Sequence, residues 1–110
     1  MAAVTFETRG GRLVASLTGE IDHHSAAPLR ESIDRAYRLA GARELTLDFS
    51  GVTFMDSSAV GLIMGRHKKA AAAGGRVSIC GLSPSCERIV HMSGVTQVLN
   101  IKEDDHESIN

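Results

Sequence analysis

The stretch Phe54-Met55-Asp56-Ser57-Ser58-Ala59-Val60-Gly61-Leu62 sets a strand-like apolar run directly against two adjacent serines that open a helix. Strands that alternate with helices need those helices packed against the sheet, and one compact α/β domain is expected. Backbone N–H groups at a helix N-terminus point outward unpaired and favour negative charge. A phosphate on Ser57 would therefore sit there with little local strain. The junction points to a switch rather than a catalyst.

The rest of the chain supplies the other layers. Thr5-Phe6-Glu7-Thr8 and Arg12 to Leu17 alternate on either side of Gly10-Gly11 and predict a β-hairpin. A first helix is expected after Ser25, with Pro28 in its first turn, Leu29, Ile33, Tyr37 and Ala40 at helical spacing, and Gly41 as its stop. Leu45 to Phe49 alternates as a strand, and the helix entered at the serine pair runs to Gly74-Gly75. Arg76 to Cys80 reads as a strand, Pro84 to His91 as a short helix entered at Ser83, and Val98 to Ile101 as a final strand before a polar tail. The 110 residues contain no repeat or linker and are expected to form one domain over 1–110.

Composition removes several classes of function. With 12 basic and 13 acidic side chains there is no electrostatic footprint for nucleic acid or an anionic membrane. One Tyr, three Phe and no Trp leave little surface for stacking on bases or flat cofactors. No apolar span or signal segment is found, and Cys80 and Cys86 lack metal-ligand or CxxC spacing, so a reduced cytoplasmic protein is expected. Both thiols read as small hydrophobes, Cys86 alternatively as a surface thiol. No phosphate-cradling glycine loop is present, and no cofactor is expected.

A helical wheel of the second helix puts Ala59, Leu62, Ile63 and Ala70 on one side and Ser57, Gly61, Met64, Gly65 and Lys68 on the other. Each glycine inside a helix costs about 1 kcal/mol relative to alanine, so two on an outer face call for a reason. One reading is a docking strip from Ser57 to Lys68, with Met64 moulding to a partner. The other is that the glycines admit a neighbouring loop of the same chain and Met64 belongs to the core. Asp56 is placed to cap the helix, Asp22 reads as a turn residue, and Gly19 to Asp22 lies where the second strand ends, an end of the sheet that Asp56 could share. The run Arg66-His67-Lys68-Lys69 reads as a solvated face near the helix C-terminus, with Arg66 or Lys68 available to acidic groups on a partner.

Four segments taken together, Gly19-Glu20-Ile21-Asp22-His23-His24-Ser25-Ala26, Phe54-Met55-Asp56-Ser57-Ser58, Leu62-Ile63-Met64-Gly65-Arg66 and Met92-Ser93-Gly94, resemble the STAS-domain antagonists of anti-sigma factors, closest to the sporulation type. The resemblance covers nearly the whole chain. It implies a STAS fold: a mixed β-sheet with an N-terminal hairpin and helices packed mainly on one face. It further implies a protein that, unphosphorylated, binds an anti-sigma factor which is itself a serine kinase, and so releases a sigma factor. Phosphorylation of the serine after the aspartate, here Ser57, ends the binding, and a serine phosphatase reverses the mark. Asp22, Asp56, Ser57, Ser58, Gly61, Met64, Gly65 and Lys68 are then the partner-binding residues. The kinase supplies ATP and magnesium; this chain is its substrate, a monomer when free, and no enzyme. The alternative within the same fold is a STAS regulatory or scaffold subunit of a transporter or stress-sensing complex, with no kinase cycle.

Ala59 and His67 depart from the sporulation-type pattern, which usually has Gly and Tyr there, and Lys102 to Asn110 leaves little room for the family's C-terminal helix. Adjacent histidines, His23 and His24, would point to opposite faces of a strand, and neither convergent metal ligands nor a base within reach of a serine is visible. His67, His91 and His106 read as surface or tail residues.

Overall fold

Gly10 and Gly11, both at positive φ, turn the chain between β1 (Ala2–Arg9) and β2 (Arg12–Ile21), which pair antiparallel from Arg9 opposite Arg12 to Ala2 opposite Gly19. Only glycine takes such backbone angles without strain at both turn positions. The computed structural model describes residues 1–97 and 99–101. After the hairpin come α1 (His23–Ala40), β3 (Glu44–Met55), α2 (Ser57–Ala72), β4 (Arg76–Cys80), α3 (Pro84–Met92), a 3-10 turn over Val95–Gln97, and β5 (Asn100–Ile101). The sheet order is β1-β2-β3-β4-β5, with every pairing after the hairpin parallel. This is the expected mixed sheet with an N-terminal hairpin. Of the expected last strand, Asn100 and Ile101 pair with β4; Val98, His106 and the segment 102–110 lie outside the described residues.

Alternation decides which face is covered. Leu13, Ala15 and Leu17 of β2, Leu45, Leu47 and Phe49 of β3, and Val77 and Ile79 of β4 are buried and meet Leu29 and Ile33 of α1 and Ala59, Leu62, Ile63 and Ala70 of α2 in one core. Helices α1 and α2 lie side by side against these strands, and α3 adds Cys86 and Val90 to the same core. Each large aliphatic side chain enclosed this way contributes about 1.5–3 kcal/mol. Both cysteines are buried, so Cys86 is not a surface thiol.

The first helix begins three residues earlier than its apolar spacing predicts. Asp22, not Ser25, is the N-cap: its Oδ1 accepts from the backbone N–H groups of His24 (3.0 Å) and Ser25 (2.9 Å), while the Asp22 N–H donates to Ser25 Oγ at 2.9 Å. This reciprocal capping box satisfies orphan donors and draws the helix start back over His23 and His24. Pro28 consequently stands as the sixth helical residue, beyond the first turn, where it leaves the His24 carbonyl without its usual donor.

The wheel assignment for α2 holds for all four inward residues, and Arg66 joins them. Arg66 is not on a solvated face. Its side chain is 3% exposed, and its Nε lies 2.7 Å from Asp34 Oδ1 on α1. Lys69 Nζ reaches Asp34 Oδ2 at 3.6 Å. Burial pulls the Arg66 pKa below its ordinary value, with the Asp34 charge opposing that shift. Arg66 ties the two helices together and is not available to an acidic partner. At the end of α2, Gly75 abuts the Arg43 carbonyl, 2.1 Å from where a Cβ would stand, so the backbone there has room only for glycine.

Candidate functional site

The site is built by two strand ends brought level. β3 carries two more residues than β2 across the irregularities between Ser16 and Thr18 and between Gly19 and Glu20, after which Ile21 pairs with Met55. The Asp56 N–H donates to the Ile21 carbonyl at 3.2 Å, which locks Asp22 and Asp56 beside each other at the same end of the sheet. Each carboxylate caps the helix that follows it, α1 or α2, so the N-termini of both helices open at that end. Asp22 is thus a capping residue rather than a plain turn residue.

The two serines that follow Asp56 have different surroundings. Asp56 Oδ1 accepts from the Ser58 N–H at 2.8 Å and from the Ser58 hydroxyl, so the half-buried Ser58 is tied to the cap. Ser57 is exposed, and among the described residues its hydroxyl makes no hydrogen bond. The Ser58 hydroxyl and then the Ser58 N–H hold the Asp56 carboxyl below its usual range; neighbouring Asp22 pushes the other way, and His23 adds to the lowering. The Ser25 N–H holds Asp22 low in the same manner, with the His24 N–H assisting against a burial penalty. Both carboxylates are therefore charged near neutral pH. That end of the sheet is acidic, and the exposed Ser57 directly follows Asp56 there.

From Ser57 the outer face of α2 continues through exposed Gly61, half-buried Met64 and Gly65, and exposed Lys68. A Cβ built on Gly61 or Gly65 meets nothing within 4 Å. Among the described residues no loop of the same chain packs on the two glycines, and the strip they leave is open. Met64 does both things: it packs partly against the core and keeps part of its surface on the strip. Because these positions are uncrowded and helical, Gly61→Ala and Gly65→Ala should each stabilise the fold by about 1 kcal/mol, seen as a rise of a few degrees in the thermal midpoint. A fall would show that something does occupy the space. Weaker partner binding by the more stable variants would tie the glycines to docking.

Phe54 was not anticipated in the site. It is 52% exposed at the end of β3, opposite Glu20, while Met55 beside it is buried. Strand alternation carried the signal, since a buried Met55 in line with the cap turns its neighbour outward. His67 is half-buried rather than on the surface, and Ala59 is fully enclosed, so the methyl group there adjusts packing and leaves the serine face unchanged. Among the described residues no three His, Cys, Asp or Glu side chains converge to hold a metal ion, and no helix is long and apolar enough to cross a membrane.

A hairpin leading into parallel strands, helices on one face, and an exposed serine at the N-terminus of α2 beside two capping aspartates together define a STAS domain. The family model described as STAS domain matches residues 3–108, and the chain belongs to that family. The anti-sigma F factor antagonist of Paenibacillus polymyxa is 31% identical over 102 residues, 93% of this chain and 87% of that protein. Among solved structures, the anti-sigma factor antagonist SpoIIAA in its unphosphorylated form is 29% identical and superposes with a TM-score of 0.81, over 97% of this chain and 93% of that one. The phosphorylated form of SpoIIAA, a cell fate determinant of Bacillus, is also 29% identical, with a TM-score of 0.74 over 97% of this chain and 96% of that one.

Proposed function

We propose that this chain is an anti-sigma factor antagonist whose activity is switched at Ser57. In its unmodified form it binds an anti-sigma factor through Asp22, Asp56, Ser57, Ser58 and the strip of Gly61, Met64, Gly65 and Lys68, and a sigma factor is released. The anti-sigma factor is also a serine kinase: it brings magnesium and ATP, phosphorylates Ser57 and so ends the binding. A serine phosphatase restores the active form. The chain acts in the cytoplasm as a monomer when free, and it is a substrate and competitor rather than an enzyme.

The observation that carries this reading is the contrast between the two serines: one exposed hydroxyl at the start of α2 without a hydrogen bond among the described residues, and one tied to its cap. A phosphoserine adds about −1.5 to −2 charge to a surface that already holds two carboxylates. A partner fitted to the unmodified surface then meets a strongly anionic one. The test is intact-mass analysis after mixing the protein with the anti-sigma kinase of its source organism and Mg-ATP. A single added phosphate that is absent from Ser57→Ala is the expected result. Stable binding without any phosphate on the wild type would replace the switch with a scaffold role.

A further inference from the structure

We infer that Asp56 selects the phosphoacceptor: by engaging the Ser58 hydroxyl it leaves Ser57 as the one serine of the pair presented to a kinase. The inference rests on the phosphoswitch reading above and deepens it. Adjacent serines at the start of a helix offer the same nucleophile within one residue of each other, and local sequence alone does not rank them. The structure does. The Ser58 Oγ–H donates to Asp56 Oδ1, the same oxygen that takes the Ser58 N–H at 2.8 Å, and the side chain is half-buried. The Ser57 side chain projects from the first residue of α2 into open surface.

In the transfer, a lone pair of Ser57 Oγ forms a bond to the γ-phosphorus of the nucleoside triphosphate. The bond from that phosphorus to the β,γ-bridging oxygen breaks, and its electron pair leaves with the nucleoside diphosphate. The hydroxyl proton passes to a base on the kinase. Ser58 could follow the same course only after its hydroxyl left the carboxylate and rotated out of the cap, giving up a charge-assisted hydrogen bond. A contrary assignment, with Asp56 as the base that activates Ser58, is opposed by the same geometry: a carboxylate that already accepts two hydrogen bonds at one oxygen is a poor proton acceptor. The two assignments predict opposite responses to loss of Asp56.

The experiment is phosphorylation by the anti-sigma kinase with Mg-ATP, followed by fragmentation of the tryptic peptide to separate phospho-Ser57 from phospho-Ser58. Wild type should carry its phosphate at Ser57. In Asp56→Ala the share on Ser58 should rise about tenfold or more, the factor expected when a hydroxyl is freed from a carboxylate. Asp56→Gly, which helix N-caps tolerate well, should give the same shift and serves if the alanine variant folds poorly. Asp56→Asn keeps an acceptor oxygen at the cap and should restore selection of Ser57, a rescue that a merely structural role would not tie to site choice. Ser57→Ala should take up no phosphate, whereas Ser57→Ala combined with Asp56→Gly should take it up on Ser58. An unchanged Ser58 share in both Asp56→Ala and Asp56→Gly would overturn the inference while leaving the switch intact. Wild-type phosphate on Ser58 that disappears with Asp56 would overturn it in favour of the activating role. No phosphate on wild type at all would overturn the switch, and the inference with it.

Discussion

Ser57→Asp is expected to weaken capture of the anti-sigma factor by about a hundredfold or more, because placing a like charge in an interface costs several kcal/mol. The substitution puts a third carboxylate beside Asp22 and Asp56, which the Ile21–Met55 register and the Asp56 N–H to Ile21 bond hold next to each other. The fold itself should hardly respond. No acidic residue occupies the first turn of α2, and a carboxylate there gains from the helix dipole what it loses to its acidic neighbours, each effect being about 0.3–1 kcal/mol. Ser57→Ala removes a hydroxyl that makes no hydrogen bond among the described residues and should bind as wild type does. Titration calorimetry against the purified anti-sigma factor, with thermal melts of all three proteins, separates the cases. Equal loss in Ser57→Ala and Ser57→Asp would mean that the hydroxyl itself is a binding contact and that charge is not the signal. A drop in midpoint for either would mean that Ser57 supports the fold.

The second large effect concerns stability. Asp34→Ala leaves the Arg66 guanidinium, 3% exposed, without the carboxylate 2.7 Å away, and breaking such a pair costs about 3–5 kcal/mol. Domains of this size are stable by about 5–15 kcal/mol, so the variant should lose a large fraction of its margin. Asp34 is itself 21% exposed, which places the effect toward the lower end of the range. Arg66→Met removes the charge and keeps the length of the stem, and the pair Asp34→Leu with Arg66→Met should recover most of the loss, since apolar replacements of buried ion pairs are often neutral. Urea unfolding midpoints at constant slope give the comparison. If Asp34→Ala unfolds at the same urea concentration as wild type, the tie between α1 and α2 contributes nothing measurable and the helices are held by Leu29, Ile33, Leu62 and Ile63 alone.

These two sites mark what the sequence made legible and what it did not. The strand-to-helix junction, the glycine hairpin and the inward side of α2 were readable because each depends on residues within one or two turns of one another. The start of α1 was misplaced because His23 and His24 carry no apolar period, and only the spacing of Asp22 and Ser25 announces the capping box. Arg66 stands in a run of cations, a pattern that predicts a solvated face. Its position one turn after Leu62 and Ile63 puts it on the inward side, yet an arginine turns inward only if an anion meets it, and Asp34 lies 32 residues earlier. The alternation that marks β3 in the sequence covers Leu45 to Phe49 only, whereas the strand runs from Glu44 to Met55. The register shifts that carry β3 on to Met55 are a property of its pairing with β2, and without them the two aspartates would not stand level. Whether the two glycines faced a loop or open space was likewise undecidable from α2 alone, since the answer depends on what the rest of the chain leaves uncovered.

The backbone bond from Asp56 to Ile21 also bears on time. It fastens the start of α2 to the sheet at the residue immediately before Ser57, so under the proposed switch a phosphate on Ser57 would meet a helix end already anchored to β2. Under the proposed switch, the interval between receiving a signal and acting on it would then be set by the enzymes that add and remove the phosphate and by the departure of the partner.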